Sequence, residues 1–147
     1  MLFSALMLVS CANSNSTPHP MQAELEDTII QFLDTVYQAK LTMDSSLLST
    51  VAAGDMLGTY KTQIERHQDN PNDLVIEETK VVETSVVSYS AQEATIEVKY
   101  EYRDFVRNSA TGGRDYASWR WRKVRFFLVR EDNAWKVYDE EFIDWSG

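Results

Sequence analysis

"ATIEVKYEYRDFV", residues 94–106, alternates without a break. Ile96, Val98, Tyr100 and Tyr102 point one way, and Thr95, Glu97, Lys99, Glu101 and Arg103 the other. A period of two with one apolar side is the pattern of a half-buried β-strand. The same grammar extends outward. Thr79 to Ser90 is rich in Val and Thr, "YASWRWRKVRFFLVR" (residues 116–130) reads as a third long strand, and Ala134 to Trp145 as a fourth. The connections suit hairpins: Ser90-Ala91-Gln92-Glu93, a longer loop around Gly112-Gly113, and Asp132-Asn133, where Asn tolerates positive φ.

Upstream of residue 72 the period is different. Leu25, Ile29, Phe32, Leu33, Val36 and Lys40 fall on one helical face, which predicts a helix over 23–40. Glu24, Glu26 and Asp27 crowd its first turn and Lys40 its last, as the helix dipole favours. Asp44 is placed to cap a second, short helix through about Ala52. Gly54 ends that helix, and Asp55 is expected to cap a third. Leu57, Tyr60, Ile64 and His67 share a face of the third, and Asn70-Pro71 stops it. Helices followed by long antiparallel strands predict an α+β layer fold, with N-terminal helices packed on a curved sheet of four strands or slightly more. No internal repeat is present.

That order of elements resembles the nuclear-transport-factor-2-like, or cystatin-like cone, superfamily. "LLSTVAAGDML", "EVKYEYRDF" and "LVREDNAWKVYDEEFIDW" are similar to a bacterial branch of it, related to the C-terminal domain of plastid-division proteins. The resemblance covers Ala23 to Trp145 and rests on element order and the closing "VRxxxxWKV" pattern. It implies a cone-shaped domain over residues 23–147. The superfamily holds isomerases, dehydratases and many domains without known chemistry, so fold does not select a function. Homodimers through the open sheet face are common in it, which makes a homodimer an expectation by analogy.

The N-terminus carries a separate signal. Met1 to Val9 is apolar with one Ser, too short for the ~20 residues of a bilayer span but suited to the apolar region of a signal peptide. Leu8-Val9-Ser10-Cys11 resembles a bacterial lipobox, in which the thiol is acylated and the chain is cut just before it. This predicts a signal peptide over 1–10, truncated upstream or weak because no Lys or Arg precedes the apolar run. Lipidation is then expected at Cys11, with a flexible tether over 11–22 rich in Asn, Ser, Thr and Pro. The alternative is an ordinary apolar N-terminus with a chance cysteine. The expected location is the extracytoplasmic face of a bacterial membrane, held by acyl chains.

Composition bounds the rest. The 147 residues amount to one domain, 44% hydrophobic and 12% aromatic, with a net charge of −9. Charge of that sign repels nucleic acid at long range, so nucleic acid is not an expected partner. A single cysteine and two distant histidines, His19 and His67, offer no zinc spacing, and neither metal nor cofactor is expected.

Three constellations remain. Arg120, Arg122, Lys123 and Arg125 alternate with Trp119 and Trp121, which reads either as an anion platform on Arg120, Arg122 and Arg125 or as cross-strand pairing. Pairing about a two-residue Asp132-Asn133 turn sets Arg125 opposite Glu140, with Asp139 and Glu141 alongside. Folding about Gly112-Gly113 brings Glu101 near Arg122 and Tyr102 near Trp121. Pairing is the favoured reading, because acidic strands bracket the basic one. A catalytic mouth is the second possibility. Asp104 and Asp139 are candidate acids, Asp104 the better because it shares a face with Tyr100 and Tyr102, and Tyr37, Tyr60, Tyr100 and Tyr102 are candidate donors. An exposed strand-end Asp beside Arg103 explains Asp104 equally well. The third is aromatic: Trp135, Tyr138, Phe142 and Trp145, with Phe126 and Phe127, read as core or as a binding face. Tyr37, Tyr60, Trp135 and Phe142 are the candidate contacts for an unknown protein or small ligand.

The leading expectation is a membrane-tethered, extracytoplasmic domain with a non-catalytic binding or envelope-support role. The alternatives are a pocket enzyme using Asp104 and an anion-binding module.

Overall fold

The protein is described from a computed structural model covering residues 17–146. The apolar leader, Cys11 and residues 12–16 of the expected tether lie outside the described residues.

Helix α1 runs Gln22–Thr42. Its buried face is the one set by the helical period: Leu25, Ile29, Phe32, Leu33, Val36 and Lys40, joined by Ala39. Met43 ends it in the left-handed conformation (φ 59°) that more often falls to glycine. Asp44 then accepts a hydrogen bond from the Ser46 backbone N–H and caps a 3-10 helix, Ser45–Thr50. Helix α2, Gly54–Arg66, begins one residue before Asp55. Asp55 therefore sits in the first turn and is not the cap, which is Ala53 with no side-chain bond. A 3-10 turn at Pro71–Asp73 leads into the sheet.

Five antiparallel strands follow: β1 Ile76–Tyr89, β2 Glu93–Arg107, β3 Arg114–Tyr116, β4 Arg120–Glu131 and β5 Ala134–Trp145. Their order is β1-β2-β4-β5, with β3 adding three residues to β2. The even positions of β2 and β4 form the inner face: Ile96, Val98, Tyr100, Val124, Phe126 and Leu128 are all buried. Phe32 of α1 meets Phe126 edge-on at 5.9 Å between ring centres, which fixes helix to sheet at the centre of the core.

The register departs from both expected pairings by one residue. Between β2 and β4, Glu101 faces Trp121, Tyr102 faces Arg120 and Tyr100 faces Arg122. This pairing matches Val98 with Val124 and Ile96 with Phe126, and burial of those side chains outweighs the count across a long loop. Between β4 and β5 the Asp132-Asn133 turn forms as expected, with φ of 51° and 61°. A bulge at Tyr138 then adds one residue to β5, so Arg125 faces Glu141, and Glu140 faces Phe126 on the inner side.

Candidate functional site

Alternation on β2 and β4 carries Tyr100 and Arg122 onto the inner face, and the Tyr138 bulge carries Glu140 there with them. On β1, Glu77 points the same way, and α1 and α2 supply Tyr37, Lys40 and Tyr60. Together these residues line a cavity of about 190 Å³ between α1 and the sheet, with Phe142 at its rim. Phe142 is 53% exposed.

The centre of the cavity is an ion pair. The Arg122 guanidinium donates to the Glu77 carboxylate, and its Cζ lies 4.0 Å from the Tyr102 ring centre and 5.1 Å from that of Tyr100. Burial pushes the Glu77 carboxyl above its ordinary value, with Arg122 pulling back. Burial raises Glu140 in the same way, again against the attraction of Arg122. Lys40 donates to the Val75 carbonyl at 3.4 Å and sits 5.3 Å over the Tyr60 ring. Its amine is pushed down by burial, with Glu77 and Asp104 opposing. The hydroxyls of Tyr60 and Tyr100 are driven up by burial and stay protonated at any working pH.

The candidates named from sequence are scattered by this geometry. Tyr37, Tyr60, Tyr100, Phe142 and Arg122 line the cavity, but Asp104, Tyr102, Trp135, Arg120 and Arg125 do not. Asp104 accepts from Arg120 at 2.9 Å. Trp135 is buried at the far end of the sheet, against Tyr89 and under Arg130. Arg125 lies on the outer face, where it donates to Glu97 at 2.7 Å and to Glu141 at 3.0 Å. Lys123 adds a 3.3 Å contact to the same Glu97. Arg120, Arg122 and Arg125 thus each hold a carboxylate, and the basic strand is bracketed by acidic neighbours on both faces.

Three cavity groups escaped the candidate set. Lys40 looked like an ordinary dipole-favoured lysine. Glu77 precedes the stretch read as a strand, and Glu140 was set on the wrong face by the unseen bulge. Buried acids opposite a buried arginine leave no local sequence mark, because the pairing spans 45 residues. Among the described residues, no group of three or more His, Cys, Asp or Glu is placed to hold a metal ion. No helix among them is long and apolar enough to cross a membrane.

Relatives share this arrangement of elements. The family described as "ARC6-like, IMS domain" matches residues 40–138. The chain belongs to the ARC6-like IMS domain family. No curated protein matches it by sequence. Among solved structures, it is similar to the intermembrane space region of the chloroplast protein ARC6, with a TM-score of 0.67 at 15% identity over 86% of this chain and 98% of that one. The β subunit of benzoate 1,2-dioxygenase from Burkholderia mallei follows at 0.58 and 8% identity, over 86% and 90%. A domain of unknown function with a cystatin-like fold from Nostoc punctiforme reaches 0.50 at 12%, over 76% and 72%. At these identities the likeness is one of fold, and it supports a cystatin-like architecture.

Proposed function

We propose that this ARC6-like IMS domain is a non-catalytic binding domain of a cell envelope, anchored on the extracytoplasmic face of a bacterial membrane by acyl chains on Cys11. One observation carries the non-catalytic part: the hollow between helix and sheet is about 190 Å³, against about 300–1,000 Å³ for sites that enclose a small-molecule substrate. Its central acid, Glu77, is already engaged by Arg122. A general acid or base needs a free proton-transfer position within reach of substrate. Arg122 takes that position at Glu77, and Glu140, on the same wall and without a salt bridge among the described residues, has only the small volume of the hollow against it.

The envelope reading draws support from the family, whose solved relative is an intermembrane space region. The anchor draws support from Leu8-Val9-Ser10-Cys11 and the polar stretch after it. Two or more acyl chains hold a protein firmly on a bilayer, where one chain binds only marginally.

Labelling with a radioactive fatty acid, followed by membrane fractionation, tests the anchor. Wild type is expected to incorporate label and sediment with membranes, while Cys11→Ser does neither. An unlabelled wild type found in the soluble fraction sinks the anchor. For the non-catalytic part, Glu77→Gln/Arg122→Met is expected to complement a deletion strain as well as wild type. A variant that is folded and fails to complement favours chemistry in the cavity.

A further inference from the structure

The two outer edges of the sheet are unlike each other. On β1, the Gln22 amide of α1 donates to the Thr84 carbonyl at 3.0 Å, and Lys40 donates to the carbonyl of Val75 just ahead of the strand. Bulges at Val82 and Val87 also interrupt that edge, and a single bulge at Ile143 interrupts the far half of β5. On β5 the first half is covered: Val137 exchanges backbone hydrogen bonds with Val51 and Ala53. Beyond Tyr138 the cover stops. Among the described residues, no other element pairs with the outer edge of β5 from Asp139 to Trp145.

This open half-strand exposes three large apolar side chains, Phe142 at 53%, Ile143 at 37% and Trp145 at 61%. It also carries four carboxylates, Asp139, Glu140, Glu141 and Asp144. Among the described residues only Glu141 is in a salt bridge, to Arg125. The Asp139 and Asp144 carboxylates accept from the N–H of the next residue, Glu140 at 2.8 Å and Trp145 at 2.9 Å. Those are the donors that a neighbouring strand's carbonyls would use.

Charge alone would explain an edge guarded against stray pairing. It does not explain three exposed apolar side chains on the same seven residues, which mark a contact surface. A second copy of the chain is a poor occupant, because antiparallel pairing of this edge with itself sets carboxylates against carboxylates. The complementary occupant is an extended segment that alternates Lys or Arg with apolar residues.

We propose that the Asp139–Trp145 edge of β5 docks such a basic, extended peptide segment of a partner protein by strand addition. Main-chain hydrogen bonds supply the register, Phe142 and Trp145 supply apolar contact, and Asp139 and Asp144, outside any salt bridge among the described residues, choose the partner's charge. The proposal takes up the binding role assigned above and names the kind of partner. It is independent of the lipid: loss of label on Cys11 leaves it standing, and its own failure leaves the anchor untouched.

The test is selection of a random twelve-residue peptide library on the full chain carrying Cys11→Ser. Enriched peptides are expected to alternate basic with apolar residues. Hydrogen exchange should then slow at Glu140, Phe142 and Trp145 when an enriched peptide is bound. Asp139→Lys/Asp144→Lys is expected to weaken binding at least tenfold, and Phe142→Ser/Trp145→Ser to do the same without loss of fold, since both side chains are exposed. Glu131→Lys, at the other end of the hairpin, should change it less than twofold. The proposal is overturned by the absence of enriched peptides, by enrichment without basic residues, or by protection confined to β1. Indifference to the charge reversal overturns it too, as does concentration-dependent protection of Asp139–Trp145 without peptide, which would mean self-pairing.

Discussion

Removing Arg122 leaves the Glu77 carboxylate in a cavity whose walls already disfavour its charge, with only Lys40 as a further cation. Breaking a buried pair from one side costs about 3–5 kcal/mol, whereas replacing both partners by uncharged groups is often near neutral. Arg122→Met is therefore expected to destabilise by about 3 kcal/mol, the lower end because the pair is only partly buried, and Glu77→Gln/Arg122→Met to recover most of that. A double-mutant cycle in urea reads the difference, and equal losses in both variants would remove the pair from the account. The same groups set a pH dependence. Glu77 and Glu140 titrate above the ordinary 4.5 in the folded chain, facing Lys40, Tyr60, Asp104, Arg122 and Asp139. A carboxyl raised on folding holds its proton more tightly when folded, so stability falls as pH rises from 4.5 through the folded value and then levels. Glu97, lowered chiefly by the Arg125 hydrogen bond, acts oppositely: its contribution is present above 4.5 and is lost as pH falls through its folded value. Glu78 does the same, because hydrogen bonds from Arg103 and Tyr116 outweigh its burial. The urea midpoint is accordingly expected to be higher at about pH 5 than at pH 7.5, and to drop again below about pH 4. A midpoint that climbs steadily from pH 5 to 7.5 would contradict it.

At the scale of elements, the strands and α1 were legible because burial on one face imposes a period that the sequence must obey. Residues 94–106 and the Leu25-to-Lys40 face were read correctly for that reason. Local geometry that overrides the period was not legible. One extra residue at Tyr138 turned Glu140 inward, and nothing in "KVYDEEF" signals a bulge there. The Gly112-Gly113 loop is long enough to permit either neighbouring register, and only the match of Val98 with Val124 decides between them. Of the cavity's four charged lining residues the bulge hid Glu140, while Lys40 and Glu77 escaped because nothing local marks them as buried. The Asp132-Asn133 turn was readable, since both residues tolerate positive φ. Because a side chain without that tolerance costs about 1–2 kcal/mol in the left-handed region, Asn133→Ala is expected to destabilise by about 1 kcal/mol. Thermal unfolding checks it, and an unchanged midpoint would mean the turn relaxes.

On the scale of the whole molecule, α1 and the sheet are joined through the Phe32, Phe126 and Tyr60 rings. Phe32 is fully buried. Phe32→Ala is expected to cost about 3–5 kcal/mol in chemical denaturation, against near nothing for a change at exposed Val82. A loss below about 1 kcal/mol would mean that the helix is held elsewhere.

The tail ahead of α1 leaves the domain at one end: His19 packs 5.6 Å from Tyr89, beside the β1–β2 hairpin, and Arg130 reaches Glu24 nearby. The helix then runs the length of the sheet, about 32 Å for its 21 residues, to where Arg107 donates to the Leu41 carbonyl. Residues 12–18 can span at most about 25 Å. If Cys11 carries acyl chains, the start of α1 and the hairpin tips beside it stay within the tether's reach of the headgroups, while β3, Trp119 and Trp145, a helix-length away, have the greater reach from the bilayer. The lipid would then moor the molecule at one pole and leave the distal aromatic end the widest sweep into the space beyond the bilayer.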